Sequence, residues 1–474
     1  MGFLKSRVFR FIASLGLAAI FYFLCPPCFS KMYLGGVLLL LVLIINLPNI
    51  FGNRWLTHIT RIAVGGLFIF SGFIKANDPV GFSYKLNEYF EVFGEGFSCD
   101  MKIEQKAEKG IPCSCETKNE NKIVTAKPSE SSLKPVWDFF AKHSLFLAIF
   151  ICGFEMAVGL FLLLGLQVRW TLLLLLAMIV FFAFLTFYSA CCNKVTSCGC
   201  FGDAIKLTPW ESFWKDLILL ILIAVLFVGE QHITPPFKNT IVVAGIAGIG
   251  LFASFAFPVY TWRHLPIIDF RPYKIGTNLW QASQPKDPAT TGCQTDSIHM
   301  RFFYKSQKTG ETKEFSLSNL PDSTWDFCCR YDEVIRKGNC GATVMDFGIT
   351  DPESGMSMND SLLKNTKGVQ FFLVMYDISL AERSAMGKVN LFYDECAKNH
   401  IPFNALSSAD EESTTKFRTE TGAKYPMLTV DQTGLKTVIR SNPGLVMLKD
   451  GVVIAMWHYN DFPTYAEAMK KAQP

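Results

Sequence analysis

The stretch CCNKVTSCGCFGDAIKLTPWESFWKD, Cys191 to Asp216, sets four cysteines within ten residues between two long apolar runs. A helix that crosses a bilayer needs about 20 mostly apolar residues, and the flanking runs, roughly 168–190 and 214–229, have that character. The cysteines therefore lie at a membrane edge. Five more runs extend the pattern, at 8–29, 32–51, 57–76, 145–166 and 239–258, so about seven transmembrane helices are expected, the sixth the shortest. Beyond Arg263 no run of that length recurs, and the sequence turns mixed, polar and rich in turns.

Composition agrees with this division. The 474 residues are 50% hydrophobic with 43 Phe, too apolar for an ordinary soluble domain and too long for a single one. A net charge of +4 without a large Lys/Arg block gives no reason to invoke nucleic acid. The partner implied is a lipid membrane.

The first run follows Lys5, Arg7 and Arg10, but it leads into Cys25-Pro26-Pro27-Cys28 without a small-x-small cleavage site. It reads as a retained helix. Positive residues then orient the chain. Lys5, Arg7, Arg10, Arg54, Arg61, Arg169 and Lys238 all fall on the cytoplasmic side if the N-terminus is inside. An inner-membrane, multi-pass protein with a periplasmic C-terminal half is the expectation. Every cysteine cluster then faces the outer compartment, where disulfides form readily.

Cys198-Gly199-Cys200 is a C-x-C pair in which Gly supplies the unusual backbone angles so small a ring needs. Cys191-Cys192 ends the fifth helix six residues upstream, within reach for exchange, since a thiolate must approach a disulfide sulfur. Three readings stand side by side: a thiol relay, structural disulfides that pin a loop, and a soft-metal site. Cys25-Pro26-Pro27-Cys28 has the C-x-x-C spacing that supports reversible disulfides, and two prolines at a tight turn explain it equally well. Cys99, Cys113 and Cys115 read as staples of a polar insertion, and Cys152 as a small buried hydrophobe.

Two charged positions stand out in the membrane region. Glu155, in CGFEMAVGL, is an ionisable group near mid-membrane and so a functional candidate, whether as an interhelical hydrogen-bonding group or in proton transfer to a bound quinone. Lys75, in SGFIKANDP with Asp78, reads as a lysine that snorkels to the headgroups.

The segments RIAVGGLFIFSGFIKANDPVGFSYKLNEY, FEMAVGLFLLLG and CGCFGDAIKLTPWESFWKDLILL together resemble the MauE/DoxX-like membrane proteins, in particular their long Bacteroidetes-type members. That resemblance covers residues 57–229 and implies a four-helix membrane core. It also implies a link to disulfide formation in a periplasmic partner and, by comparison with quinone-coupled bundles, a quinone as electron acceptor. No nucleotide-binding glycine loop suggests flavin or NAD.

In the soluble half, SIHMRFFYKS and TKEFSLSNL read as strands of a β-rich subdomain carrying Cys293, Cys328, Cys329 and Cys340. From Met345 strands alternate with helices, ending in a hairpin that turns at Lys449-Asp450-Gly451. This order resembles an AhpC/TlpA thioredoxin-like domain over 343–474, with Pro443 at the position of that fold's cis-proline. Where such domains carry C-x-x-C, this chain has Asp377-Ile378-Ser379-Leu380-Ala381-Glu382. The resemblance therefore implies docking without redox chemistry of its own. Cys396, alone on the following helix, reads as core.

The expected architecture is a membrane all-α region plus a periplasmic α/β thioredoxin-like domain. Its boundaries are two helices over 1–56, a four-helix core over 57–229 with an insertion at 77–142, a seventh helix over 230–262, the β-rich subdomain over 263–342, and the α/β domain over 343–474. The expected function is thiol–disulfide redox exchange between a periplasmic client and the membrane. Cys198 and Cys200 form the proximal pair, Cys191 and Cys192 its partner, and Cys25 and Cys28 a further relay. The alternative is a non-enzymatic assembly factor or scaffold with structural disulfides.

Overall fold

The computed structural model describes residues 54–96, 133–192, 195, 199, 201–205, 207–336, 338–342, 347–364 and 366–473. The first two expected spans, Cys25, Cys28, Cys99, Cys113, Cys115, Cys198 and Cys200 lie outside the described residues. The rest fall into two compact units that divide between Phe270 and Arg271.

The first unit is helical. Its elements are α1 (Arg54–Asn77), α2 (Pro79–Gly94), α3 (Lys134–Lys142), α4 (Ser144–Leu164), α5 (Val168–Cys192), α6 (Pro209–Val228) and α7 (Thr240–Arg263). Among the described residues four helices, α1, α4, α5 and α7, are long and apolar enough to cross a membrane. The sixth expected span differs. Helix α6 opens with Pro209 and a Thr208/Glu211 capping box, which satisfies orphan backbone donors at a helix start. It then carries Glu211, Lys215 and Asp216 before an uninterrupted apolar run of Leu217–Val228. Twelve residues rise only about 18 Å, against a hydrocarbon core of about 30 Å.

Helices α1 and α4 run antiparallel in close contact because small residues face each other. A Cβ on Gly159 would stand 2.9 Å from the Gly65 carbonyl oxygen, and one on Gly72 would stand 2.7 Å from Met156 Cγ and 3.2 Å from the Cys152 oxygen. In lipid, packing of this kind replaces the hydrophobic drive as the source of helix association. At the far end of the pair, Arg61 donates from Nε to the Leu162 oxygen (2.9 Å) and from its terminal nitrogens to the oxygens of Leu163 and Thr234. A cation on the last carbonyls of a helix satisfies acceptors that have no intrahelical donor.

Both ends of the stretch 77–142, expected as an insertion, are helical and packed. Asp78 caps α2 by accepting from the Gly81 N–H at 2.8 Å, and α2 buries Leu86, Tyr89, Phe90 and Phe93 in the core that holds Cys152 and Leu172. Phe93 lies edge-on to Tyr188 of α5, and Trp137 of α3 packs on Phe93 with ring centroids 5.2 Å apart. The aromatic residues of this nominally polar stretch recur at helical spacing, which is why they reach the core.

The second unit holds two sheets. Strands β1 (Ser297–Ser306), β2 (Thr312–Phe315) and β3 (Trp325–Arg336) form an antiparallel sheet in the order β2-β1-β3. The larger sheet has β4 (Val369–Met375), β5 (Phe403–Ser407), β6 (Met427–Thr429), β7 (Gly444–Lys449) and β8 (Val452–His458), in the order β6-β5-β4-β7-β8. Strands β4, β5 and β6 are parallel, and β7 and β8 pair antiparallel. The central strand β4 is buried from Gln370 to Met375, as a strand covered on both faces must be. Helix α8 (Met386–Lys398) packs Val389 and Phe392 into that core. The hairpin turns at Asp450 and Gly451, both at positive φ, the backbone that a two-residue hairpin needs.

A segment ahead of the small sheet also pairs with the large one. Residues 276–279 lie along β8: Gly276 N–H donates to the Val453 oxygen at 2.7 Å and Val453 N–H to the Thr277 oxygen at 2.9 Å. A segment before the small sheet thus covers an edge of the large one, which removes an exposed row of donors and acceptors.

Replacement of Gly159 by Leu is expected to lower the thermal stability of the detergent-solubilised protein by about 1–3 kcal/mol, the cost of overpacking. Gly66→Ala, where a Cβ meets nothing within 4 Å, is expected to cost nothing measurable in the same melting experiment.

Candidate functional site

The antiparallel arrangement of α1, α4, α5 and α6 brings the C-terminus of α1, the cysteine end of α5 and the charged start of α6 to one end of the bundle. Beneath that end four charged side chains meet. Lys75 Nζ lies 2.7 Å from Glu155 Oε2 and donates to Ser71 Oγ at 3.1 Å. Lys75 is 2% exposed and Glu155 3%, which corrects the snorkelling expectation. The lysine turns inward because a carboxylate, a hydroxyl and two ring faces replace water around it. The ring centroids of Phe182 and Phe82 lie 4.4 and 5.6 Å from Nζ. A buried ammonium is tolerated only with such partners.

Asp216, on the second turn of α6, is fully buried. Thr186 Oγ1 donates to its Oδ2 at 3.0 Å. Lys215 Nζ stands 2.8 Å from Oδ1, an ion pair whose approach is not that of a hydrogen bond, so Oδ1 accepts none among the described residues. Lys215 also lies over the Phe201 ring at 5.1 Å. A pocket lined by Ser71, Lys75, Glu155, Phe182, Lys215 and Asp216 joins the two ion pairs. Its interior takes about one water-sized sphere. A quinone ring does not fit in that space beside Glu155.

Sequence reasoning singled out Glu155 and missed Asp216 and Lys215, which it quoted only within a motif. The available signal was the break they make in an otherwise apolar helix. Lys75 was noticed but given the wrong direction, because its partner lies 80 residues away.

The cysteines occupy distinct states. Cys192 is disulfide-bonded and buried, whereas its neighbour Cys191 is a partly exposed thiol. They lie about 7.5 and 9 Å along α5 from Thr186, at about 1.5 Å per residue. Ser189 Oγ donates to the Val195 oxygen, and Val195 is buried in the bundle core, so the chain folds back over the end of α5. Gly199 has φ +68°, and a Cβ there would stand 3.3 Å from Lys85 Cγ. Backbone angle and space both call for glycine in the C-x-C element.

Cys152 is a fully buried thiol of α4. In the second unit Cys293 and Cys340 form a disulfide, and Cys328 and Cys329 are disulfide-bonded as well. Cys396 is a fully buried thiol whose pKa burial pushes up to about 12. The Asn442–Pro443 bond at the head of β7 is cis. Asn442 Nδ2 donates to the Asp377 oxygen at 2.6 Å and the Glu382 N–H to the Asn442 oxygen at 2.9 Å. These bonds tie the segment after β4 to the turn before β7. Among the described residues no three His, Cys, Asp or Glu side chains converge on a metal position.

With this geometry in place, two family models account for parts of the chain. Residues 131–229 match the model of methylamine utilisation protein MauE. The MauE-like segment runs from α3 through α6 and contains Glu155, Asp216 and the Cys191–Cys200 stretch, while Lys75 lies outside it. The chain is a multi-pass membrane protein with a MauE-like region. Residues 298–337, which form the three-stranded sheet, match a domain of unknown function (DUF8463). No curated protein and no solved structure is significantly similar to the chain.

Removing one member of the central pair, by Lys75→Met or Glu155→Leu, is expected to destabilise the protein by about 3–5 kcal/mol, because the other charge stays buried alone. The double replacement is expected to recover most of that loss, read as melting temperature in detergent. Cys396 is expected to resist alkylation at pH 8 in the native protein and to label fully in denaturant, read by peptide mass spectrometry.

Proposed function

We propose that the protein is a membrane thiol–disulfide redox protein that exchanges electrons with the cysteines of a periplasmic client. The observation that carries this reading is the pairing of a thiol, Cys191, with an adjacent disulfide-bonded residue, Cys192, at one end of the bundle. Exchange needs a thiolate within reach of a disulfide sulfur. A client thiolate attacks the disulfide and forms a mixed disulfide. The second client thiolate then displaces the protein sulfur, so the client leaves oxidised and the protein keeps two thiols. Two electrons pass from client to protein. Cys198 and Cys200 serve as the entry pair, Cys191 and Cys192 as the next step, and Cys25 and Cys28 as a further relay. The protein sits in the inner membrane with its N-terminus cytoplasmic, so that this bundle end and the second unit face the periplasm.

In this reading the larger sheet is a thioredoxin-like domain that docks the client. Support comes from the order β5-β4-β7-β8, with β4 parallel to β5 and antiparallel to β7, and from the cis bond at Pro443. Asp377–Glu382 holds no cysteine, which leaves docking as its contribution. A scaffold with permanent disulfides is the second reading. The Cys293–Cys340 bond favours it for the second unit.

Thiol trapping across a glutathione series tests the choice in nanodiscs. The proposal expects the Cys192 disulfide to titrate between about −120 and −270 mV, the span of known oxidoreductases. Closure that persists below about −300 mV assigns the cysteines to a scaffold.

A further inference from the structure

We infer that the two buried ion pairs and the space between them form a proton-transfer site, in which one bound water links the carboxylates of Glu155 and Asp216. The inference stands on the bundle interior alone and does not rest on the thiol–disulfide reading.

Four helices supply the parts. Helix α1 gives Ser71 and Lys75, α4 gives Glu155, α5 gives Thr186, and α6 gives Lys215 and Asp216. The same pocket touches both pairs and takes about one water. Asp216 is fully buried, and beyond the Lys215 ammonium 2.8 Å away its Oδ1 has no donor of hydrogen-bonding geometry among the described residues. A carboxylate oxygen has room for a further donor beside the ion pair, and a water in this pocket supplies one while its second hydrogen faces Glu155. Charge balance favours the arrangement: two cations and two anions leave the cluster neutral, so one added proton is the smallest change it accommodates.

The pairs differ in access. The Lys215 side chain is 21% exposed, whereas those of Lys75 and Glu155 are 2% and 4% exposed. A proton therefore enters at Lys215–Asp216, crosses the water and reaches Glu155, with Lys75 holding the carboxylate in place. No bond other than O–H changes, and no electron moves. Among the described residues the other titratable groups near the cluster include Cys152 on α4, one turn before Glu155, and Asp78 at the start of α2, with Lys85 farther along that helix. Asp78 caps α2 and Lys85 pairs with Glu88 at 2.8 Å, so both are engaged outside the pocket. Ion pairs that serve only structure do not need the pocket that joins them.

Infrared difference spectroscopy on the full-length protein, titrated with acid in H2O and D2O, reads carboxyl protonation directly. The inference expects a carboxyl band that is lost in Glu155→Gln and whose pH midpoint moves by about one unit or more in Asp216→Asn. Thr186→Val, which retains every charge, guards against loss of fold and is expected to move the same midpoint in a protein of near-normal melting temperature. A Glu155 band with the same midpoint in wild type, Asp216→Asn and Thr186→Val overturns the inference and leaves two independent structural ion pairs. Cysteine redox state is unaffected by that outcome, so failure here is distinguishable from failure of the redox reading.

Discussion

The bundle depends on one buried contact, the 2.7 Å ion pair between Lys75 and Glu155. Neither charge is tolerable alone in a low-dielectric interior, where an unpaired ion costs several kcal/mol. Each therefore fixes the other, and α1 and α4 must meet at that height and rotation. The glycines at 65, 72 and 159 let the two backbones come close enough for the pair to form. Arg61 ties the opposite end of the same helices through the carbonyls of Leu162 and Leu163. Ridge packing alone permits many crossings of two apolar helices, whereas charge at one end and a guanidinium at the other select one.

The second ion pair follows from the first. Helix α6 carries Lys215 and Asp216 into the interior at the level where α5 presents Thr186, and the two pairs share one small pocket. Charges in that position shorten the apolar run of α6. Cys191 and Cys192 lie at the same end of the bundle, so their sulfurs and the Thr186–Asp216 contact are separated by about one and a half turns of α5. Thiol chemistry needs protons to be taken up and released as thiolates form and leave, which gives that proximity a chemical use.

Much of the fold was legible in the sequence, and the reason is periodicity. Runs of apolar residues gave α1, α4, α5 and α7 within a few residues of their ends, and alternation gave β1, β5 and the β7–β8 hairpin with its turn at Asp450. The helix at residues 79–94 is hard to read because its aromatic residues sit among Lys, Asn and Glu, so mean polarity hides a helical stripe formed by Leu86, Tyr89, Phe90 and Phe93. The direction of Lys75 was illegible for a different reason. Snorkelling and burial start from the same local sequence, and only the position of Glu155, 80 residues on, decides between them. The edge pairing of residues 276–279 with β8 is likewise long-range, and no local pattern announces it.

The state of the adjacent cysteines tests the account most directly. Isotope-coded alkylation in native membranes, first without and then with reductant, followed by peptide mass spectrometry, reads Cys191 and Cys192 separately. The account predicts that Cys191 takes the first label and Cys192 only the second. Both residues in the second label, or both in the first, contradicts a thiol set beside a disulfide at this end of the bundle.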